Sequence, residues 1–79
     1  MIPIEFDRIY WFTKLALRDR SSIVPVPRRG RIALIVKIPK NSHGIQSGFY
    51  IAEPGRFGSI MPVEGPYRSR IIAAVAAVN

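Results

Sequence analysis

Alternation with a period of two runs through much of this chain. In "MIPIEF" (1–6), Ile2, Ile4 and Phe6 share one side and Pro3 and Glu5 the other. That predicts a first strand, which Pro3 confines to an edge or a strand start. Asp7-Arg8 marks a bend or bulge. "IYWFTKLALR" (9–18) separates in the same way, with Ile9, Trp11, Thr13, Leu15 and Leu17 on one side and Tyr10, Phe12, Lys14, Ala16 and Arg18 on the other. The first set predicts core. The second is two rings followed by two cations, with about 7 Å between same-face neighbours in a strand. At helical spacing the apolar residues spread over more than half the circumference and leave no clean polar face. A strand is therefore expected here, and a helix from Ile4 to Leu17, started by Pro3, is its main rival.

"RDRSSIVPVPRRGR" (18–31) is the basic centre, with five arginines against Asp19. Pro25 and Pro27 lack a backbone donor, so "IVPVP" is expected to be extended and to lie at a sheet edge. "RIALIVKI" (31–38) is the clearest strand, with Ile32, Leu34, Val36 and Ile38 expected to face inwards. "PKNSHGIQSG" (39–48) is a loop by composition. "FYIAE" and "RFGSIM" form a hairpin, for which Pro54-Gly55 suits the centre of a type II turn. "VEGPYR" is a further turn. In "SRIIAAVAAV" (69–78) the alanines favour a short helix capped by Ser69, while Ile71, Ile72 and Val75 also allow a strand.

These segments predict a mainly β fold: a single domain over 1–79, built as a small five-stranded OB-like or SH3-like barrel. A short C-terminal helix is allowed, and a basic arm or wing is expected around 18–31. The apolar fraction of 48% is ample for a core and too high for disorder. Seventy-nine residues bury only part of their surface, and the excess of Ile, Val and Ala predicts association into a homodimer. The longest apolar run, Ile71 to Val78, is eight residues. That is too short to span a bilayer, so no membrane insertion is expected. With no secretory signal in view, a cytoplasmic location is expected, which would be the host cytoplasm for a phage-encoded protein.

Charge narrows the partners. Twelve Lys/Arg against five Asp/Glu leave a net +7, a field that favours a polyanion, nucleic acid first. The chain has no cysteine, which removes disulfides and Cys-based metal sites. His43 is the single histidine, expected as a solvated loop residue beside Ser42, and the acids are scattered. No catalytic motif, metal site or cofactor is expected. "GRFG" (55–58) matches the GxxG clamp of KH domains only superficially, because Pro54 and Pro62 argue against flanking helices. Rings interleaved with cations suit stacking of single-stranded bases along a phosphate path. The candidate nucleic-acid-binding residues are Tyr10, Phe12, Lys14, Arg18, Arg20, Arg28, Arg29, Arg31, Tyr50, Arg56 and Phe57.

"MIPIEF", "FT" (12–13), "LIVKI" (34–38), "GFY" (48–50) and "GRFGSIM" (55–61) together resemble the single-stranded-DNA-binding proteins of filamentous phages. The pieces occur in that family's order and cover about a third of the chain. The resemblance implies a dimeric five-stranded OB-like barrel, with Arg18, Arg28, Arg29 and Arg31 near a DNA-binding wing and Phe57 near the dimer-related loop. The chain departs from the family where a Gly-Lys-Pro-Tyr wing segment is replaced by "VPRRGR". The function expected is non-enzymatic binding of single-stranded nucleic acid, DNA favoured. The alternatives are an adaptor subunit of a larger assembly, and a small toxin-like ribonuclease or inhibitor of a nucleic-acid machine.

Overall fold

In the computed structural model, which describes residues 4–79 with side chains from residue 8 onwards, two helices flank one antiparallel sheet. The elements are α1 (Ile4–Leu17), β1 (Val24–Arg28), β2 (Arg31–Ile38), β3 (Gly48–Pro54), β4 (Ile60–Tyr67) and α2 (Arg70–Val78). The strands form a meander in the order β1-β2-β3-β4. The expectation of a mainly β chain holds, but the five-stranded barrel does not: the sheet is open and has four strands.

Two features keep it open. Both edge strands carry prolines, Pro25 and Pro27 in β1 and Pro62 and Pro66 in β4. The β1 prolines stand at alternate positions while the ladder to β2 persists, so their missing donors lie on the outer edge. Closing β1 onto β4 would need donors that neither edge supplies in full. The sheet is also apolar on both faces. Val36 and Ile38 of β2 enter one core with Phe12, Leu15 and Tyr50, while Ala33 and Ile35 enter another with Ile51, Ala73 and Ala77. A strand buried on both faces reads as a nearly continuous apolar run, as "IALIV" does. Each face therefore takes a helix.

That demand overturns the strand expected over 9–18. Phe12, Leu15 and Ala16, at i, i+3 and i+4, are buried against β2 and β3, while Tyr10, Lys14 and Leu17 form the outer stripe. Leu17, expected in the core, is exposed, and Ile9 is half-buried. Ile4 to Phe6 of the expected first strand belong to α1, and its first three residues lie outside those described. Among the described side chains the fully buried stripe is Phe12, Leu15 and Ala16, and it does not stand out in a segment apolar on most sides.

The rival helix was the correct element here, and the C-terminal segment also resolves as a helix. The Ile72 N–H donates to Ser69 Oγ at 3.1 Å, the cap expected of that serine. β2 occupies its expected residues, and "IVPVP" lies at an edge. The β3–β4 hairpin is also present, but its turn differs. Pro54 ends β3 and Gly55 stays extended, so the reversal falls to Arg56–Gly58, with Phe57 and Gly58 both left-handed (φ 58 and 75). A Cβ on Gly55 would overlap the Ser59 hydroxyl and crowd Met61. "VEGPYR", expected as a turn, continues β4 to Tyr67 through shifted register.

Candidate nucleic-acid interface

Strand register places the basic and aromatic residues. Arg28 pairs with Arg31 and Pro27 with Ile32 across β1 and β2; Leu34 pairs with Ala52 across β2 and β3; Pro54 pairs with Ile60 across β3 and β4. The Arg29-Gly30 hairpin tip and the Arg56–Gly58 turn therefore share one end of the sheet. They stand about 10 Å apart, two strand spacings. At the tip Arg29 (φ 51) and Gly30 (φ 78) are both left-handed, the signature of a two-residue type I′ turn. The basic stretch 18–31 is thus largely a β-hairpin. Arg29 and Arg31 are exposed at its tip, and Arg18 and Arg20 are exposed at its other end, beyond α1.

α1 reaches the same end of the sheet through Thr13. Its Oγ1 accepts from the Ile60 N–H at 2.8 Å and donates to the Ile60 carbonyl at 3.3 Å. This pair ties the middle of α1 to the strand that leaves the Arg56–Gly58 turn. The turn is tied in itself: the Gly55 N–H donates to the Ser59 carbonyl at 2.8 Å and Ser59 Oγ to the Arg56 carbonyl at 2.7 Å. Between helix and turn lies a groove of about 570 Å³, with Tyr10 and Lys14 on one wall, Arg56 and Phe57 on the other, and Met61 between them.

The rings in this groove are open to solvent. Tyr10 is 48% exposed and Phe57 is fully exposed. Phe57 is also held at φ 58, a region that bulky side chains avoid. An apolar ring that is both strained and fully solvated gains nothing for the fold. Lys14 Nζ stands 5.3 Å from the Tyr10 ring centroid and 5.8 Å from that of Trp11. Trp11 in turn stacks on His43, with centroids 3.7 Å apart and planes 9° from parallel. His43 is exposed in its loop, as expected, and makes this stack in addition. Its partner lies thirty-two positions away in sequence, and no local signal announces the stack.

Three candidates are engaged in the fold. Phe12 and Tyr50 are buried in the α1 core, edge to face at 5.1 Å, so neither presents a face to a base. The Tyr50 hydroxyl donates to the Gln46 carbonyl at 2.6 Å, and burial pushes its phenol above the ordinary value, against the positive charge of Arg8. Arg28 reaches under the end of α2, donating to the carbonyls of Ala76 and Ala77 at 3.5 and 3.4 Å, with Glu64 4.0 Å away. It serves as a cation at a helix C-terminus, where the backbone dipole is negative. Arg70 plays a similar internal part, donating to the Ser22 carbonyl at 2.7 Å with its guanidinium 5.5 Å from the Phe49 ring.

Ser42 Oγ lies 2.7 Å from His43 Nδ1, a contact between neighbours in an exposed loop. Among the described residues no group of three or more His, Cys, Asp or Glu side chains is placed to hold a metal ion. No helix among them is long and apolar enough to cross a membrane. No family model, curated protein or solved structure matches this chain.

Proposed function

We propose that this protein binds single-stranded nucleic acid, without catalysis, in the groove between α1 and the Arg56–Gly58 turn, at the end of the sheet that also carries the Arg29-Gly30 tip. The observation that carries this reading is Phe57, a fully exposed ring in a left-handed conformation, facing Tyr10 and Lys14 across an apolar groove. Bases stack on Tyr10 and Phe57. Lys14, Arg56, Arg29 and Arg31 neutralise phosphates and release counterions. A groove flanked by rings and cations takes unpaired bases of any sequence, because every base offers a π-face. The net +7 supplies the long-range attraction.

Titration of Trp11 and tyrosine fluorescence with single- and double-stranded oligonucleotides, at two salt concentrations, tests the reading. Single strands should bind more tightly than duplex. Phe57→Ala should cost about 1–3 kcal/mol of binding with the salt slope nearly unchanged. Arg29→Ala and Arg31→Ala should each make the slope shallower by about one unit or less. Absence of binding at low salt would sink the reading.

A further inference from the structure

α2 packs against the sheet with its small residues. Ala73 and Ala77 are fully buried against Ala33, Ile35 and Ile51. Its large residues point the other way: Ile71, Ile72, Val75 and Val78 are 76%, 41%, 55% and 57% exposed. Ile71, Val75 and Val78 follow the i, i+4, i+7 spacing of a helix–helix seam, with Ile72 beside them. No charged residue interrupts the stripe, and the one charge in α2, Arg70, turns inwards to Ser22 and Phe49.

We propose that this face is a self-association surface, on which a second copy of the chain pairs its α2 antiparallel about a twofold axis at Val75. In that register Val75 meets Val75 and Ile72 meets Val78. An uncharged stripe lets two copies of a +7 chain meet without opposing cations. The antiparallel sense keeps the two Arg68 side chains at opposite ends of the helix pair, away from each other. Sheet-to-sheet pairing is the competing mode of dimerisation, and the prolines on both edge strands disfavour it. The four side chains leave on the order of 400 Å² uncovered, a patch of the size that marks an interaction site on a monomer. Doubled across the axis, and with Ala74 and Ala76 at its flanks, it approaches the roughly 1,000 Å² at the small end of specific interfaces. The dimer is therefore a weak, concentration-dependent one. It uses the face of the sheet opposite α1, so both grooves remain open, and it stands or falls independently of nucleic-acid binding.

Sedimentation equilibrium of the full chain, from low micromolar to several hundred micromolar, should show a monomer–dimer equilibrium. Val75→Glu should stay monomeric over that range with its melting temperature unchanged, since the side chain it replaces touches mainly solvent. The chain has no cysteine, so Val75→Cys carries a single thiol and should oxidise to a disulfide-linked dimer far faster than Ser47→Cys. A wild-type protein that remains monomeric at the highest concentration overturns the proposal. So does a Val75→Glu protein that dimerises as the wild type does, or equal oxidation of the two cysteine variants. Flotation with phosphatidylcholine/phosphatidylglycerol vesicles, lost in Val75→Glu while the wild type stays monomeric, overturns it in favour of a lipid surface.

Discussion

α1 turns Phe12, Leu15 and Ala16 towards the sheet and leaves Tyr10 and Lys14 outside, whereas α2 turns Ala73 and Ala77 inwards and leaves Ile71, Val75 and Val78 outside. Both cover an apolar sheet face, but with opposite orders of side-chain size. Under α1 the space is filled by large groups from both sides, Phe12 and Tyr50 above all. Under α2 it is filled by the sheet's own Ile35 and Ile51, and alanines let the helix sit close. Hydrophobicity therefore marks the inner face of α1 only faintly and marks the wrong face of α2. What decides burial is how much volume the sheet leaves empty.

The largest test of this contrast is Phe12→Ala. It should cost about 3–5 kcal/mol and leave the protein largely unfolded, because the cavity under α1 has nothing to fill it. Urea denaturation followed by circular dichroism reads the loss directly. A smaller change is expected from adding volume under the other helix. Ala73→Leu should destabilise by about 1–3 kcal/mol through overpacking. If it stabilised instead, the α2 face would hold unfilled space and the comparison would fail.

Tyr50→Phe sharpens the α1 side. Losing the hydrogen bond to Gln46 should cost about 1 kcal/mol near neutrality. Burial holds the Tyr50 phenol above its ordinary value of about 10, so the folded state keeps the proton more tightly than the unfolded chain. Its contribution is intact below the ordinary value and is lost as pH rises through the folded one. The alkaline loss of stability should be smaller in Tyr50→Phe. Tyr67, raised by desolvation and by Glu64, leaves a remainder. The smallest effect concerns the end of α2. Arg28→Ala should lower stability by about 0.3–1 kcal/mol and leave oligonucleotide salt dependence unchanged. Arg29→Ala, one residue on, should do the reverse. Equal salt slopes for the two variants would show that Arg28 also faces the ligand.

Local chemistry alone determined a good part of this protein. The unbroken apolar run over 32–36 marked β2, although the inward face expected from alternation fails at Ile32, which is exposed, and at Ala33 and Ile35, which are buried. Alternate prolines marked β1 as an edge, and Ser69 before an alanine-rich run offered the cap at which α2 starts. These depend on apolar runs, missing donors and caps, which act within a few residues. Tyr10, Lys14, Arg56 and Phe57 were each legible as ring or cation. Their meeting in one groove was not, because Thr13 and Ile60, forty-seven positions apart, tie the two walls together. Only tertiary structure decided that residues 4–17 coil, since their own pattern suited a strand and the uncovered sheet face supplied the reason for a helix. It likewise withdrew Phe12 and Tyr50 into the core and Arg28 beneath α2. A side chain's type sets what it can bind, but the space and partners left by the rest of the fold set which of those uses remains open to it.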